Sequence, residues 1–135
     1  MARGVLDTST VILLGRIEAD ELLPTEPLIT TVTLAELSVG PLVAATADER
    51  AARQAHLQQA EADFDPLPFD AMAARAFGRV AASLHEAGRK RSARAYDAMI
   101  AAVCVANDLP VHTCNPDDFA GIHGLAVVDV AHPDR

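Results

Sequence analysis

The sequence predicts an α/β fold: a three-layer α/β/α domain with a central parallel sheet of four to five strands. Short apolar segments typical of buried strands alternate with longer segments of helical periodicity. Half of the residues are hydrophobic and only 4% are aromatic, so the core must be aliphatic. Strands that alternate with helices of this length need crossover connections, which give a parallel sheet covered on both faces. A chain of 135 residues fits a single core, so we expect one domain spanning 1–135.

The N-terminal half is expected to form a strand, a helix, a second strand and two further helices. The predicted bounds are Arg3–Asp7, Val11–Ile17, Leu28–Thr31, Val32–Val43 and Asp48–Asp63. The hydroxyl residues at 8–10 are favourable for starting the first helix. The Gly40-Pro41 pair should interrupt the second helix. Residues 64–69 contain two prolines and form at best a short edge strand.

The C-terminal half is expected to form two helices and two strands. Asp70 is a suitable N-cap for an amphipathic helix that buries Met72, Ala76, Val80 and Leu84 and ends at Gly88. The following helix, strand, turn and last strand are predicted at Ser92–Asn107, Leu109–Thr113, Asn115–Asp118 and Leu125–Val130. The first of these is apolar almost all round, which predicts a buried helix.

Composition excludes several classes of protein. No apolar segment approaches the ~20 residues needed to span a bilayer, and the N-terminus turns polar too early for a secretory signal. We therefore expect a cytoplasmic protein that does not associate with membranes. Cys104 and Cys114 are expected to be reduced thiols. The net charge of −8 argues against a broad nucleic-acid-binding face, because phosphate would be repelled.

Four acidic residues could meet at one edge of the predicted sheet. Asp7 closes the first strand and Asp118 follows the strand at Leu109–Thr113, so both belong where ligands bind in such sheets. Asp7 could instead be a helix N-cap, although Thr8 or Ser9 could serve equally well.

The remaining acids also have ordinary structural interpretations. Glu36 has apolar or glycine neighbours on its helix face, where a carboxylate is costly unless it coordinates an ion. Asp97 lies in a helix that is otherwise among the most apolar stretches of the chain, and the ordinary interpretation is a surface ion pair with Arg94. Asp117 and Asp118 belong to the sequence Asn115-Pro-Asp-Asp118, whose residue types are common in turns.

Converging carboxylates predict a site for a hard divalent cation, Mg²⁺ or Mn²⁺, that can position water for attack on phosphate. Zinc is a weak alternative, since His112 and Cys114 offer only two ligands.

A basic cluster precedes the Asp97 helix. It contains Arg89, Lys90, Arg91 and Arg94, and Lys90 is the only lysine in the chain. Such a cluster is often only a solvated loop. Because it lies directly before the helix that carries Asp97, however, we expect it to contact the phosphate backbone of the substrate.

Four motifs, taken together, resemble one family. They are Val5-Leu-Asp7-Thr-Ser9, Thr33-Leu-Ala-Glu36-Leu, Tyr96-Asp97-Ala-Met-Ile-Ala-Ala102 and Thr113-Cys-Asn115-Pro-Asp-Asp118-Phe119. In order and spacing they resemble the PIN-domain ribonucleases, specifically the VapC-type toxins of bacterial toxin–antitoxin pairs. The resemblance covers nearly the whole chain.

The resemblance implies a PIN-like fold and hydrolysis of RNA phosphodiesters with Mg²⁺ or Mn²⁺. It gives the metal-binding and catalytic role to Asp7 and Asp97, with Glu36 and Asp118 completing the site. It gives supporting roles to Ser9 (or Thr8), Thr113 and Asn115. It also implies a homodimer and silencing by a cognate VapB-type antitoxin that joins it in a heteromeric complex. The family often has a basic residue where this chain has Asp117, which leaves Asp117 and Asp118 as alternatives for the fourth acid.

Two other classes compete with a ribonuclease. A signalling receiver domain would need an acidic pair at the first strand and a late lysine, whereas Asp7 stands alone and Lys90 is the only lysine. A degenerate PIN-like interaction or RNA-binding module would be expected to have lost acids, and all four are present. The glycine motifs of dinucleotide and P-loop sites do not occur.

Overall fold

Four short parallel strands form the centre of the molecule, in a computed structural model that describes residues 2–18, 21–89 and 95–135. The strands are β1 (Arg3–Leu6), β2 (Glu26–Leu28), β3 (Val111–Thr113) and β4 (Val127–Asp129). Their order is β2-β1-β3-β4, so β1 and β3 are the central pair. Because all four run in the same direction, the residues that follow Leu6 and Thr113 emerge at the same edge. This is the predicted α/β class with a sheet of four strands.

Within the described residues, five helices connect and cover the strands. They are α1 (Thr8–Leu13), α2 (Thr31–Leu42), α3 (Ala47–Asp63), α4 (Ala71–Glu86) and α5 (Ala95–Ala106). Short 3-10 helices follow α1 at Leu14–Arg16 and β3 at Pro116–Phe119. Helix α5 packs against α4, α2 and the second 3-10 helix, and α2 packs against α3. No helix within the described ranges is both long and apolar enough to cross a membrane.

Helix starts follow the capping chemistry of the sequence. The Asp70 carboxylate accepts the Ala73 N–H at 3.0 Å, as predicted for the start of α4. At α3 the Thr46 hydroxyl accepts the Glu49 N–H at 3.1 Å. The Glu49 carboxylate accepts the N–H of Ala45, the residue before this N-cap, at 3.1 Å, an arrangement close to a capping box.

The buried side chains form a large cluster and a small one. The large cluster joins β1 and β3 to α4 and α5 through aliphatic residues and Phe119. The small cluster joins Ile29, Leu37 and Ala60 under the α2–α3 pair. Both cysteines are free and buried, and burial raises the pKa of the Cys104 thiol to about 12. A thiol with this pKa behaves as a small apolar side chain.

Several predicted boundaries were wrong. Helix α1 begins at Thr8 rather than Val11, so Asp7 occupies the N-cap position, the alternative left open for it, but its side chain makes no capping hydrogen bond. Helix α2 continues through Pro41 instead of breaking there. The proline lies in the last turn, where the freed carbonyl groups can find other donors. Arg53 Nη1 donates to the Gly40 carbonyl at 3.0 Å.

Other differences concern the sheet and α4. Strand β2 ends at Leu28, and Thr30 caps α2 instead of extending the strand. Pro27 is tolerated because β2 is an edge strand. Of residues 64–69, only Leu67 bridges in parallel to Thr30. Met72 is exposed rather than buried, whereas the next residue, Ala73, is fully buried.

Candidate active site

Asp7 is the most enclosed of the predicted acids, with a 1% exposed side chain directly after central strand β1. Three hydroxyl groups donate to its carboxylate. Thr10 Oγ1 lies 2.5 Å from Oδ1, while Thr113 Oγ1 and Ser9 Oγ lie 3.0 and 3.1 Å from Oδ2. Burial raises the pKa of Asp7, and these hydrogen bonds oppose the rise. Desolvation therefore outweighs the hydroxyl donors.

The hydroxyl groups also connect Asp7 to the loop after β3. Thr10 Oγ1 accepts the backbone N–H of Cys114 at 3.0 Å, and Thr113 Oγ1 accepts that of Asn115 at 2.9 Å. Asn115 Nδ2 donates to Ser9 Oγ at 3.0 Å. Ser9, Thr113 and Asn115, the supporting residues predicted from the motifs, therefore reach the Asp7 carboxylate directly or through one neighbour.

Glu36 is held half-buried on α2 by Thr8. Thr8 Oγ1 donates to Glu36 Oε1 at 2.6 Å and lies 3.0 Å from Thr33 Oγ1. Because the Thr8 proton is directed at Glu36, the Thr33 hydroxyl donates to Thr8. Burial raises the pKa of Glu36, the Thr8 bond opposes this, and the negative charge of Asp7 raises the pKa further. Because Thr8 directly follows Asp7 in the chain, its bond to Glu36 places the two acids in the same region of the molecule.

Asp97 and Asp118 lie on elements that adjoin this pair. Asp97 is half-buried in the first turn of α5, and Asp118 is half-buried in the 3-10 helix Pro116–Phe119. Helix α5 packs against both α2, which carries Glu36, and this 3-10 helix. The elements bearing the four acids are therefore neighbours.

The four acids do not form a closed cluster. Among the residues described, no three His, Cys, Asp or Glu side chains are grouped closely enough to hold a metal ion. Asp7 and Glu36, linked through Thr8, are thus the two predicted acids that the structure brings near one another. His112 and Cys114 likewise gather no third ligand among the described residues, and His112 Nδ1 lies 2.6 Å from the Leu22 carbonyl oxygen.

The chemistry of the Asp7–Glu36 pair nevertheless fits a hard divalent cation. The side chains that hold the two carboxylates are hydroxyl groups, with no soft ligand bonded to them. Within the described ranges neither carboxylate forms an ion pair with Arg, Lys or His. Two adjacent carboxylates with raised pKa values are a costly arrangement that a bound cation would relieve.

A cavity of about 520 Å³ adjoins the loop after β3. Asp117 and Asp118 both line it, as do Asn115, Asp129 and Arg135. Asp117 is exposed and Asp118 is half-buried, so Asp118 is the more enclosed of the two alternatives for the fourth acid.

Of the basic cluster, only Arg89 falls within the described residues; Lys90, Arg91 and Arg94 lie outside them. Arg89 Nη1 donates to the carbonyl oxygens of Asp117 at 2.9 Å and Ala120 at 3.2 Å. This arginine therefore holds the loop that carries Asp118, a role that the sequence did not predict.

Sequence reasoning also missed Thr10, Thr33 and Arg135. The three hydroxyl residues that follow Asp7 were a signal for Thr10. Thr33 stands in one of the four motifs, but nothing local indicated its bond to Thr8, which lies 25 positions away. The same holds for Arg135, whose guanidinium reaches Asn115 across 20 positions.

Comparison with known proteins shows the family. The model of the PIN domain family matches residues 4–124. The chain is 47% identical to Ribonuclease VapC5 of Mycobacterium tuberculosis over 131 residues, which cover 96% of this chain and 94% of that protein.

Solved structures agree with this relationship. The crystal structure of VapBC-5, a member of the VapBC family of toxin–antitoxin systems from Mycobacterium tuberculosis, matches with a TM-score of 0.82 and 44% identity, covering 96% of this chain and 100% of that one. DNA-bound VapBC from Salmonella typhimurium matches with a TM-score of 0.73 and 25% identity, covering 96% and 98%. The chain therefore belongs to the PIN domain family and is a homologue of the VapC ribonucleases.

Proposed function

We propose that this protein is a Mg²⁺- or Mn²⁺-dependent endoribonuclease that acts as the toxin of a toxin–antitoxin pair. The observation that carries the proposal is the buried Asp7 carboxylate, held by three hydroxyl groups beside Glu36 at the carboxyl edge of the sheet. The 47% identity to a VapC ribonuclease supports the assignment.

The proposed ligands of the cation are Asp7, Glu36, Asp97 and Asp118. When bound, a divalent cation would polarise the phosphate and supply a more acidic water for hydrolysis. The chain itself orients the ligands. Three hydroxyl groups fix both oxygens of the Asp7 carboxylate, and Thr8 fixes one oxygen of Glu36. Such partners of metal ligands set ligand orientation and affinity.

The decisive experiment compares RNA cleavage by the wild-type protein and by Asp7→Asn and Asp97→Asn in Mg²⁺ or Mn²⁺. We expect both variants to fall to the rate of the chelator-treated wild type. Asp65→Asn changes an exposed acid in the loop between α3 and α4 and is the matched control, expected to cleave normally. Wild-type protein without metal-dependent cleavage, or an Asp97→Asn variant as active as the control, would contradict the proposal.

The absence of a closed acidic cluster among the described residues favours one second candidate, a PIN-like interaction or RNA-binding module without catalysis. Calorimetric titration with Mn²⁺ distinguishes the two functions. A nuclease should bind the ion at submillimolar concentration, and binding should be lost in Asp7→Asn. A non-catalytic module should show no such binding.

The proposed partner is a cognate VapB-type antitoxin. VapBC toxin–antitoxin structures from two bacteria match at 25% identity or more. The net charge of −8 suits an arginine-rich inhibitory segment, whose binding should weaken with salt. We also propose a homodimer and a cytoplasmic location, where RNA is available. Light scattering of the toxin with and without its antitoxin tests the assembly.

We further propose that the basic cluster contacts the RNA backbone. Replacing Lys90, Arg91 and Arg94 with alanine should weaken binding to an inactive Asp7→Asn protein without changing sequence preference. Each lost phosphate contact should reduce the slope of log K against log salt by about 0.7 for single-stranded RNA. An unchanged slope would place the cluster outside the interface.

A further inference from the structure

The segment after β4 returns to the loop that follows β3. The Val130 N–H donates to the Thr113 carbonyl at 2.8 Å, and the Arg16 guanidinium pairs with Asp134. The Arg135 N–H donates to the His132 carbonyl at 3.1 Å. These contacts anchor the segment and direct the Arg135 side chain toward residues 114 and 115.

The Arg135 guanidinium contacts this loop with two nitrogens. Nη1 donates to the Cys114 carbonyl at 3.4 Å, and Nη2 donates to Asn115 Oδ1 at 3.3 Å. The other end of the Asn115 amide, Nδ2, donates to Ser9 Oγ at 3.0 Å, and Ser9 Oγ donates to Asp7 Oδ2 at 3.1 Å. The Arg135 cation and the buried Asp7 carboxylate are thus connected through two neutral side chains, Asn115 and Ser9. Each side chain in the series donates a hydrogen bond to the next, from Arg135 toward Asp7.

The direction of this series is the one that Arg135 requires. A guanidinium can only donate, so it requires an oxygen of the Asn115 amide in front of it. The amide then presents its NH₂ group to Ser9, which must accept with its oxygen and direct its own proton to Asp7. With the amide reversed, two donors would face each other at Arg135, and the Ser9 proton would be drawn toward Asn115 instead of Asp7.

We propose that Arg135 is a positioning residue: it selects the amide orientation of Asn115 that makes Ser9 donate to Asp7. The expected effect of Arg135 on the cleavage rate rests on the proposed nuclease function. Its expected effect on the orientation of Asn115 does not. The influence of Arg135 on Asp7 passes through two side chains.

The first measurement does not depend on activity. The side-chain amide protons of Asn115, assigned by their loss in Asn115→Asp, are followed by nitrogen–proton NMR. We expect slow exchange with solvent in the wild type, faster exchange with a shifted signal in Arg135→Ala, and an intermediate result in Arg135→Lys. Arg3→Ala is the matched control, since Arg3 is an exposed arginine paired with Glu26 at the start of β1, away from the carboxyl edge.

The second measurement is steady-state cleavage of RNA in Mg²⁺. We expect kcat of Arg135→Ala to fall about 10-fold with little change in KM, the lower end of the range for groups that orient metal ligands. Millimolar guanidinium ion should restore part of the rate in Arg135→Ala, but not in Asn115→Ala, which lacks the group to be oriented. A rescue of this kind separates orientation from folding stability.

An Asn115 signal that is unaltered in Arg135→Ala would overturn the inference. So would a normal kcat despite an altered signal, or a rate that guanidinium fails to restore. If the wild type cleaves no RNA, the proposed function fails, and the NMR result still decides whether Arg135 orients Asn115.

Discussion

Thr10 is predicted to be the most important hydroxyl group of the site, because it makes two buried hydrogen bonds at once. Its side chain is fully buried, donates to Asp7 Oδ1 at 2.5 Å and accepts the Cys114 N–H at 3.0 Å. The substitution Thr10→Val keeps the shape of the side chain and removes both bonds.

The expected loss of stability follows from the removal of these two hydrogen bonds. A hydrogen bond to a charged group contributes about 1.5–3 kcal/mol, and a buried N–H left without a partner costs about 1–3 kcal/mol. Thr10→Val should therefore lower the free energy of unfolding by about 3–5 kcal/mol, a large share of the total for a domain. Thr10→Ser keeps both bonds and loses one methyl group, which should cost about 1 kcal/mol.

Urea unfolding followed by circular dichroism measures both variants in chelator, so that cation binding does not contribute. With a slope of about 1–3 kcal/mol per molar, the Thr10→Val midpoint should fall by about 2 M at unchanged slope. A Thr10→Val protein within about 0.5 kcal/mol of the wild type, or a Thr10→Ser protein equally unstable, would refute the reasoning.

Three further results are expected. Burial raises the pKa of Asp7 above its ordinary 3.8, so the folded state holds the proton more tightly than the unfolded chain. Without divalent cation, the free energy of unfolding of the wild type should therefore fall as the pH rises from about 4 through the raised pKa of Asp7. Asp7→Asn should show a smaller fall, measured by urea unfolding at each pH. The same pH dependence in both proteins would contradict this. A Cβ at Gly4 would lie 2.3 Å from the buried His112 ring, so Gly4→Ala should lose at least about 1–3 kcal/mol in urea unfolding, whereas Gly15→Ala, with open space around it, should change little. Mg²⁺ at 100 times its Kd should stabilise the wild type by about 2.7 kcal/mol, measured as a rise in Tm. The same Mg²⁺ concentration should raise the Tm of Glu36→Gln by less. An equal rise in both proteins would remove Glu36 from the proposed ligands.

The fold was largely predictable because its signals are local. Apolar periodicity indicated both central strands, and Asp70 marked the start of α4. The wrong boundaries fall where tertiary contacts override local preference. Pro41 was expected to break α2, but the helix tolerates it in its last turn, where Arg53 from α3 satisfies a neighbouring carbonyl.

The sequence by itself determined that Asp7 follows a buried strand, that three hydroxyl residues follow it in the chain, and that a second polar loop follows another strand. These are properties of neighbouring residues, and the parallel sheet then places both loops at one edge. Only the tertiary structure decided which hydroxyl meets which oxygen. Thr10 reaches Cys114 across 104 positions, and Asn115 reaches Ser9 across 106.

The physical reason for this division is that local sequence indicates periodicity, capping and charge. Whether two distant groups form a hydrogen bond depends on a donor–acceptor distance that must be correct to a few tenths of an ångström, and strand pairing at long range sets that distance. The register of β1 on β3, with Val5 opposite Val111, sets those distances. Glu36 on α2 is brought to the buried Asp7 by a different long-range contact, the 2.6 Å bond from Thr8, and the four acids do not form one cluster among the described residues.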